Sequence, residues 1–140
     1  MRNLISFMHI SLDGFVAGPN GEMNWINVDE EIFDHVGKRI GGTDTALYGR
    51  STYQMMENYW PTAGAKPNAS QHDREHSTWY NNVHKLVLSR TMKGESLRNT
   101  TVISDNLAGR IAEIKQQPGS EILLFGSPTA THSLMQLNLI

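Results

Sequence analysis

The apolar residues of the chain form short runs that predict strands and spaced sets that predict helices. Leu4 to Leu12 is rich in Leu, Ile and Phe and predicts a buried strand ending at the turn signal Asp13-Gly14. In the segment Glu30 to Ile40 apolar residues recur every four residues, which predicts a helix with Asp29 as its N-cap. Strands and helices are therefore expected to alternate along the chain.

The same alternation continues to the end of the sequence. Further strands are predicted at Thr45 to Tyr48, His84 to Ser89, Thr100 to Ser104 and Glu121 to Phe125, and further helices at about Ser51 to Glu57, Gln71 to Asn81, Asn106 to Gln116 and Pro128 to Asn138. Pro61 to Ser70 is predicted to be a loop. This order is typical of an α/β fold with a mostly parallel central sheet and helices on both faces. Ligands bind such sheets beyond the carboxyl ends of the strands, so polar residues there are the first candidates for a site.

Composition fits one ordinary globular domain and narrows the chemistry. The 140 residues are 39% hydrophobic and 19% charged, which predicts a single domain over residues 1–140. The net charge of −2 comes without any basic block, so no nucleic-acid partner is expected. The absence of cysteine excludes disulfides and thiolate chemistry. Because His9 and Asp13 interrupt the first apolar stretch, we expect a cytoplasmic protein with no membrane segment.

Three predicted strand ends carry residues suited to binding phosphate. They are Gly49, Arg50, Ser51 and Thr52; Ser89, Arg90 and Thr91; and Gly126, Ser127, Pro128 and Thr129. Glycine lets the backbone approach an anion, helix N-termini supply free N–H groups, and guanidinium groups hold phosphate through paired hydrogen bonds. Any one of these sets also fits a plain turn or helix cap. No G-x-G-x-x-G or G-x-x-x-x-G-K-[ST] motif occurs, so a dinucleotide would have to be held in another way.

Two histidines have a spacing that can bind a metal ion. His72 and His76 are four residues apart on a predicted helix. Their neighbours are polar, as on a solvated helix face, and no third ligand is evident. No metal site is therefore predicted.

Five short motifs follow one another along the chain in a specific order. They are Ser11-Leu-Asp-Gly14, Gly21-Glu-Met-Asn-Trp-Ile26, Leu47-Tyr-Gly-Arg-Ser-Thr-Tyr53, Leu86-Val-Leu-Ser-Arg90 and Leu124-Phe-Gly-Ser-Pro128. Together they resemble the dihydrofolate reductase superfamily, and within it the branch that includes the reductase domain of riboflavin biosynthesis. The resemblance covers the whole chain and implies a dihydrofolate-reductase-like fold with NADPH as cofactor.

The resemblance also implies roles for individual residues. Ile10 and Trp25 match positions that line the nicotinamide and ribose, and Thr52 matches the cap of the helix beneath the pyrophosphate. Ser89 and Arg90 match the adenosine-phosphate end, and Gly126 to Thr129 match the second pyrophosphate clamp. The implied reaction is NADPH-dependent hydride transfer to a small pyrimidine- or pterin-like heterocycle.

The proton donor for such a reaction is open on sequence alone. A carboxyl near the nicotinamide is usual in dihydrofolate reductases, and Asp29 or Glu30 is the nearest match, with Asp13 a further candidate. Acidic residues at a helix start also stabilise the helix, and Asp-Gly also forms turns. Two alternatives to the reductase therefore stay open: a non-catalytic nucleotide-binding or regulatory module on the same fold, and a true dihydrofolate reductase.

The last residues raise a question about the sheet. Relatives of this branch continue into further strands, whereas this sequence stops at Leu139-Ile140. We therefore expect a sheet without its C-terminal strands, from a chain that is either truncated or completed by another chain. Unpaired strand edges and uncovered apolar residues tend to associate, so a homodimer is expected.

Overall fold

The structure is a computed structural model that describes residues 1–140, with five strands and six helices. In chain order they are β1 (Leu4–Phe7), α1 (Glu30–Gly41), β2 (Thr43–Gly49), α2 (Arg50–Glu57), α3 (Trp60–Ala63), α4 (Gln71–Asn82), β3 (His84–Leu88), β4 (Thr100–Ile103), α5 (Leu107–Gln116), β5 (Glu121–Phe125) and α6 (Pro128–Gln136). No helix combines the length and the apolar composition that a membrane crossing needs.

All five strands belong to one sheet in the order β1-β5-β2-β3-β4, and every neighbouring pair is parallel. The carboxyl ends of the strands therefore lie along the same edge of the sheet. The central strand β2 lies between β5 and β3, while β1 and β4 form the two outer strands. The prediction of a parallel sheet is confirmed.

Two hydrophobic clusters cover the two faces of the sheet. Alternate residues of β5 divide between them, with Leu123 and Phe125 in one cluster and Ile122 and Leu124 in the other. Such alternation is the consequence of the period of two in a strand. Helices α1, α2 and α4 contribute buried residues to the first cluster, and α5 and α6 contribute to the second. The predicted cover of helices on both faces is confirmed.

Strand β1 is shorter than the sequence pattern predicts. It ends at Phe7 rather than Leu12, where its only partner β5 also ends. The Gly126 N–H still donates to the Phe7 carbonyl at 2.9 Å, but Gly126 has a φ of +48° and turns the chain away. Since a strand needs a neighbour to pair with, β1 cannot continue beyond that point.

A short helix occupies part of the predicted loop between Pro61 and Ser70. Helix α3 is held against α4 by two side chains: the Ser77 hydroxyl donates to the Trp60 carbonyl at 2.7 Å, and the Asn81 amide donates to the Pro61 carbonyl at 3.1 Å. The last residue of α3, Ala63, is buried. These partners lie 17 and 20 residues away in sequence, so local pattern gave no signal for the helix.

The segment from residue 8 to residue 29 connects β1 to α1 without a helix or strand. Six large apolar residues of this segment are exposed to solvent: Ile10, Leu12, Phe15, Met23, Trp25 and Val28. The segment follows the carboxyl end of β1, whose sole partner in the sheet is β5. The molecule therefore has both an unpaired strand edge at β1 and exposed apolar residues in the segment that follows this strand.

Candidate cofactor site

A cavity of about 880 Å³ opens at the carboxyl ends of β2, β3 and β4 and at the start of α6. Its lining consists of Gly49, Arg50, Ser51, Thr52, Leu88, Ser89, Arg90, Ile103, Ser104, Asp105, Asn106, Leu107, Ser127, Pro128, Thr129, Ala130 and Ser133. The volume falls in the range of small-molecule and cofactor sites. The position beyond the strand ends is where α/β sheets bind ligands.

Three helices begin at this cavity, and none of them has a side-chain cap. Helices α2, α5 and α6 follow the N-cap residues Gly49, Asn106 and Ser127, and no side chain of these three residues bonds to the first turn. The first N–H groups of a helix have no partner within the helix. The starts of three helices, with their free N–H groups and positive dipole ends, therefore lie at one cavity.

The two long helices that start away from the cavity are capped. At α1 the Asp29 carboxylate accepts from the Ile32 N–H at 3.0 Å. At α4 the Ser70 hydroxyl and the Asp73 carboxylate form a reciprocal capping box. Caps are thus absent at the cavity and present elsewhere among the helices longer than one turn, which marks the cavity as a place where an anion can supply the missing acceptors.

Ser127 departs from the role that its position predicts. A serine directly before an N1 proline commonly caps the helix with its hydroxyl, but the Ser127 backbone is left-handed, with φ 54° and ψ 58°, and its side chain makes no cap bond to α6. Its hydroxyl accepts from the Gly49 N–H at 2.9 Å and donates to the Phe125 carbonyl at 2.8 Å. Ser127 therefore ties the end of β2 to the end of β5 and leaves the start of α6 open.

The cavity carries two guanidinium groups that no carboxylate neutralises. The ion pairs of the structure involve Arg2, Arg39, Lys93 and Arg110. Arg50 and Arg90 are in none of them, and both are exposed. The one carboxylate of the lining, that of Asp105, lies 3.7 Å from the Lys93 ammonium. The net field at the strand ends is therefore positive, as binding of a phosphate requires.

Nine of the thirteen predicted cofactor residues line this cavity, namely Gly49, Arg50, Ser51, Thr52, Ser89, Arg90, Ser127, Pro128 and Thr129. Thr91 lies beside it and accepts from the Arg50 guanidinium at 3.0 Å. Gly126 lies in the turn after β5, directly before the lining residue Ser127. Ile10 and Trp25, whose side chains are 62% and 39% exposed, lie in the 8–29 segment outside the lining. The binding roles of all thirteen stay predictions.

The three predicted catalytic carboxylates lie outside the cavity. Asp29 caps α1, Glu30 is exposed in the first turn of that helix, and Asp13 accepts from the Ser11 hydroxyl at 2.7 Å. Asp29 and Glu30 border a second cavity, of about 650 Å³, between α1 and α4. The contacts of Asp29 and Asp13 are those of a helix cap and a turn, and a catalytic role for any of the three carboxylates stays a prediction.

Some residues near the strand ends escaped the sequence analysis. Ser104, Asp105 and Asn106 line the cavity after β4, and the rule of reading the residues after each strand could have found them. At the end of β1, the centroid of the Phe7 ring lies 5.6 Å from that of the His9 ring and 6.3 Å from that of the His35 ring. His35 comes from α1, so no sequence signal joins it to Phe7.

The two spaced histidines of α4 pack into an aromatic group. His76 is only 5% exposed and stacks on Trp60, with the ring centroids 3.8 Å apart. His72 stacks on Phe33, with the ring centroids 4.0 Å apart. Burial, together with the neighbouring His72, lowers the pKa of His76 to about 3. The His76 Nδ1 atom has no hydrogen-bond partner. The structure assembles no group of three or more His, Cys, Asp or Glu side chains suited to a metal ion.

A parallel five-stranded sheet with helices on both faces and a polar cavity at its carboxyl edge is consistent with a dihydrofolate-reductase-like α/β domain. The RibD C-terminal domain family matches residues 2–140, and the chain belongs to this family. The predicted superfamily and its riboflavin-type branch are thereby confirmed. Membership places the chain among reductase-like domains.

Two proteins of Bacillus subtilis (strain 168) are similar to the chain over nearly its whole length. Uncharacterized protein YyaP is 30% identical over 142 residues, which cover 99% of this chain and 70% of the relative. Uncharacterized protein YwjB is 23% identical over 136 residues, which cover 96% of this chain and 70% of the relative. Neither name states an activity.

Proposed function

We propose that the protein is an NADPH-dependent reductase that transfers a hydride to a small heterocycle of the pyrimidine or pterin class. One observation carries the proposal: three uncapped helix N-termini and two unneutralised guanidinium groups meet at one cavity. NADPH is a ligand of matching chemistry, since it has a pyrophosphate and a further phosphate on the adenosine ribose. Membership of a reductase-like family supports the same conclusion.

Different residues of the cavity suit different parts of this cofactor. The N–H groups at the starts of α2 and α6, with the Thr52 and Thr129 hydroxyls, suit the pyrophosphate. Arg50 and Arg90 suit the ribose phosphate, because a guanidinium binds phosphate through two parallel hydrogen bonds. The bound cofactor supplies the hydride. The protein supplies orientation and positive charge.

The proposed proton donors are carboxyl groups. Asp29, Glu30 and Asp13 stay the proposed donors because a carboxyl near the reacting ring is the usual aid to this chemistry. Their present contacts favour a second candidate function, a nucleotide-binding or regulatory module without turnover, since Asp29 and Asp13 are engaged as cap and turn residues. A true dihydrofolate reductase would require one of these carboxyls to reach the pteridine ring.

Binding and turnover measured on the same sample test the proposal. We expect the wild-type protein to bind NADPH in a calorimetric titration and to oxidise it with at least one member of a panel of pterins, dihydrofolate and aminopyrimidines. Binding without oxidation across the panel would favour the module without turnover. Absence of NADPH binding would contradict the assignment of the cavity.

We also propose that the protein is cytoplasmic and forms a homodimer. The free edge of β1 and the exposed apolar side chains of the 8–29 segment support the dimer. Unpaired strand edges and apolar patches favour association. Light scattering on purified protein is expected to give about twice the mass of 15.7 kDa. A mass that stays at that of one chain as the protein concentration rises would contradict the dimer.

A further inference from the structure

The turn that follows β3 is built to hold one hydroxyl in a fixed place. Met92, which is only 6% exposed, anchors this turn in the core. The Met92 N–H donates to the Ser89 hydroxyl at 3.2 Å, so the Ser89 side chain is fixed by the backbone of the same turn. The hydroxyl oxygens of Ser89 and Thr91 lie 3.3 Å apart and share a hydrogen bond. The exposed Thr91 hydroxyl is thereby linked through Ser89 to the backbone of its own turn.

That hydroxyl holds a residue of the neighbouring strand end. The Arg50 Nη1 atom donates to the Thr91 Oγ1 atom at 3.0 Å, across 41 residues of sequence. Arg50 is the first residue of α2, and it lines the cavity. An exposed arginine side chain otherwise samples many rotamers, and a ligand that binds it has to bear the entropy of fixing it. A bond that fixes the guanidinium in advance reduces that cost.

The partner of Arg50 is neutral, in contrast to the carboxylate partners of Arg2 and Arg39. Arg2 and Arg39 are held by the carboxylates of Asp44 and Glu121, which cancel their charge. A hydroxyl positions a guanidinium with a single bond and leaves its full positive charge and its other N–H groups free. Such a group is prepared for an anion from outside the protein.

We infer that Thr91 is a positioning residue for cofactor specificity: it holds the Arg50 guanidinium ready for the ribose phosphate that distinguishes NADPH from NADH. The inference rests on the proposed function. It concerns the discrimination between the two cofactors, since the pyrophosphate, which both share, has its own donors at α2 and α6.

Substitution of the hydroxyl tests the inference by binding alone. Thr91→Val keeps the shape of the side chain and removes the acceptor. It is expected to reduce the NADPH-to-NADH affinity ratio about three- to tenfold, the range of a single hydrogen bond, while NADH affinity changes less than about twofold. Thr91→Ser retains the hydroxyl and should restore the ratio. Thr78→Val, on an exposed position of α4 away from the cavity, is the matched control.

A double-mutant cycle separates positioning from a structural role. In an Arg50→Ala background, Thr91→Val should leave the affinity ratio unchanged, because the group that it positions is absent. Equal losses of NADPH and NADH affinity in Thr91→Val would make Thr91 a structural residue and overturn the inference. An unchanged ratio would also overturn it. If the wild-type protein binds neither cofactor, the proposed function itself fails.

Discussion

Replacing both Arg50 and Arg90 with alanine is expected to remove the preference of the protein for NADPH over NADH. The two guanidinium groups are the unneutralised cations of the cavity lining, and they border the ends of β2 and β3. Each charge-assisted bond to a phosphate is worth about 1.5–3 kcal/mol. The loss of both should weaken NADPH binding on the order of a hundredfold or more.

NADH serves as the internal reference in this experiment. It lacks the ribose phosphate, so its affinity should fall only as far as the general positive field of the cavity is reduced. Calorimetric titrations of both cofactors at two salt concentrations give the two affinities and their screening.

A matched variant controls for the change in net charge. Arg74→Ala combined with Arg98→Ala removes two exposed arginines that lie outside the cavity, and it should leave the preference intact. If the Arg50 and Arg90 variant retained the wild-type preference, the assignment of these residues to the phosphate would be wrong.

Acidification is expected to destabilise the protein through His76. Its pKa is lowered to about 3 by burial, then by the neighbouring His72, against an ordinary value of 6.5 in the unfolded chain. The unfolded state therefore takes up a proton as the pH falls below about 6.5, while the folded state stays neutral. The contribution of His76 to the free energy of unfolding is therefore fully present above about pH 6.5. It is lost progressively between about pH 6.5 and pH 3, by up to about 3 kcal/mol at pH 4.

Urea unfolding of wild type and His76→Phe at pH 7, 5.5 and 4 measures this contribution. Phenylalanine retains a ring between Trp60 and Trp79 but does not titrate. The variant should lose less stability on acidification than the wild type, since the other titrating groups are common to both. His72→Gln tests the smaller effect of the neighbouring imidazole on the pKa of His76. Equal losses in wild type and His76→Phe would show that His76 does not govern the acid response.

Elements that depend on local sequence were predicted well. Strand β5 has the predicted bounds Glu121–Phe125, and α1 begins after the predicted cap Asp29. Both follow from neighbouring residues, a compact apolar run in one case and a capping carboxylate in the other. The end of β1 and the existence of α3 depend on contacts with distant segments, namely β5 and α4. Periodicity along the chain carries no information about such contacts.

The same division applies to the candidate site. Gly49, Arg50 and Arg90 were recognised because glycine and arginine after a strand are chemically distinctive, and all three line the cavity. The polar stretch after β4 contains neither residue type and was missed. Sequence also could not reveal that the Ser127 hydroxyl bonds to the ends of two strands and leaves α6 open, because one of its partners, Gly49, lies 78 residues away in sequence.

The open starts of α2, α5 and α6 imply a trade between the stability of the free protein and its affinity for a ligand. A missing side-chain cap costs a helix about 1 kcal/mol, or a few tenths where the N-cap is glycine as at Gly49, so the three together represent a substantial part of the stability of a small domain. A carboxylate in place of Gly49 could cap α2, but it would set a negative charge where the cavity attracts an anion. Selection for stability alone would favour the capped chain, and selection for binding the uncapped one. The protein should accordingly resist heat best when its cavity is filled, because the ligand then supplies the acceptors that the helices lack.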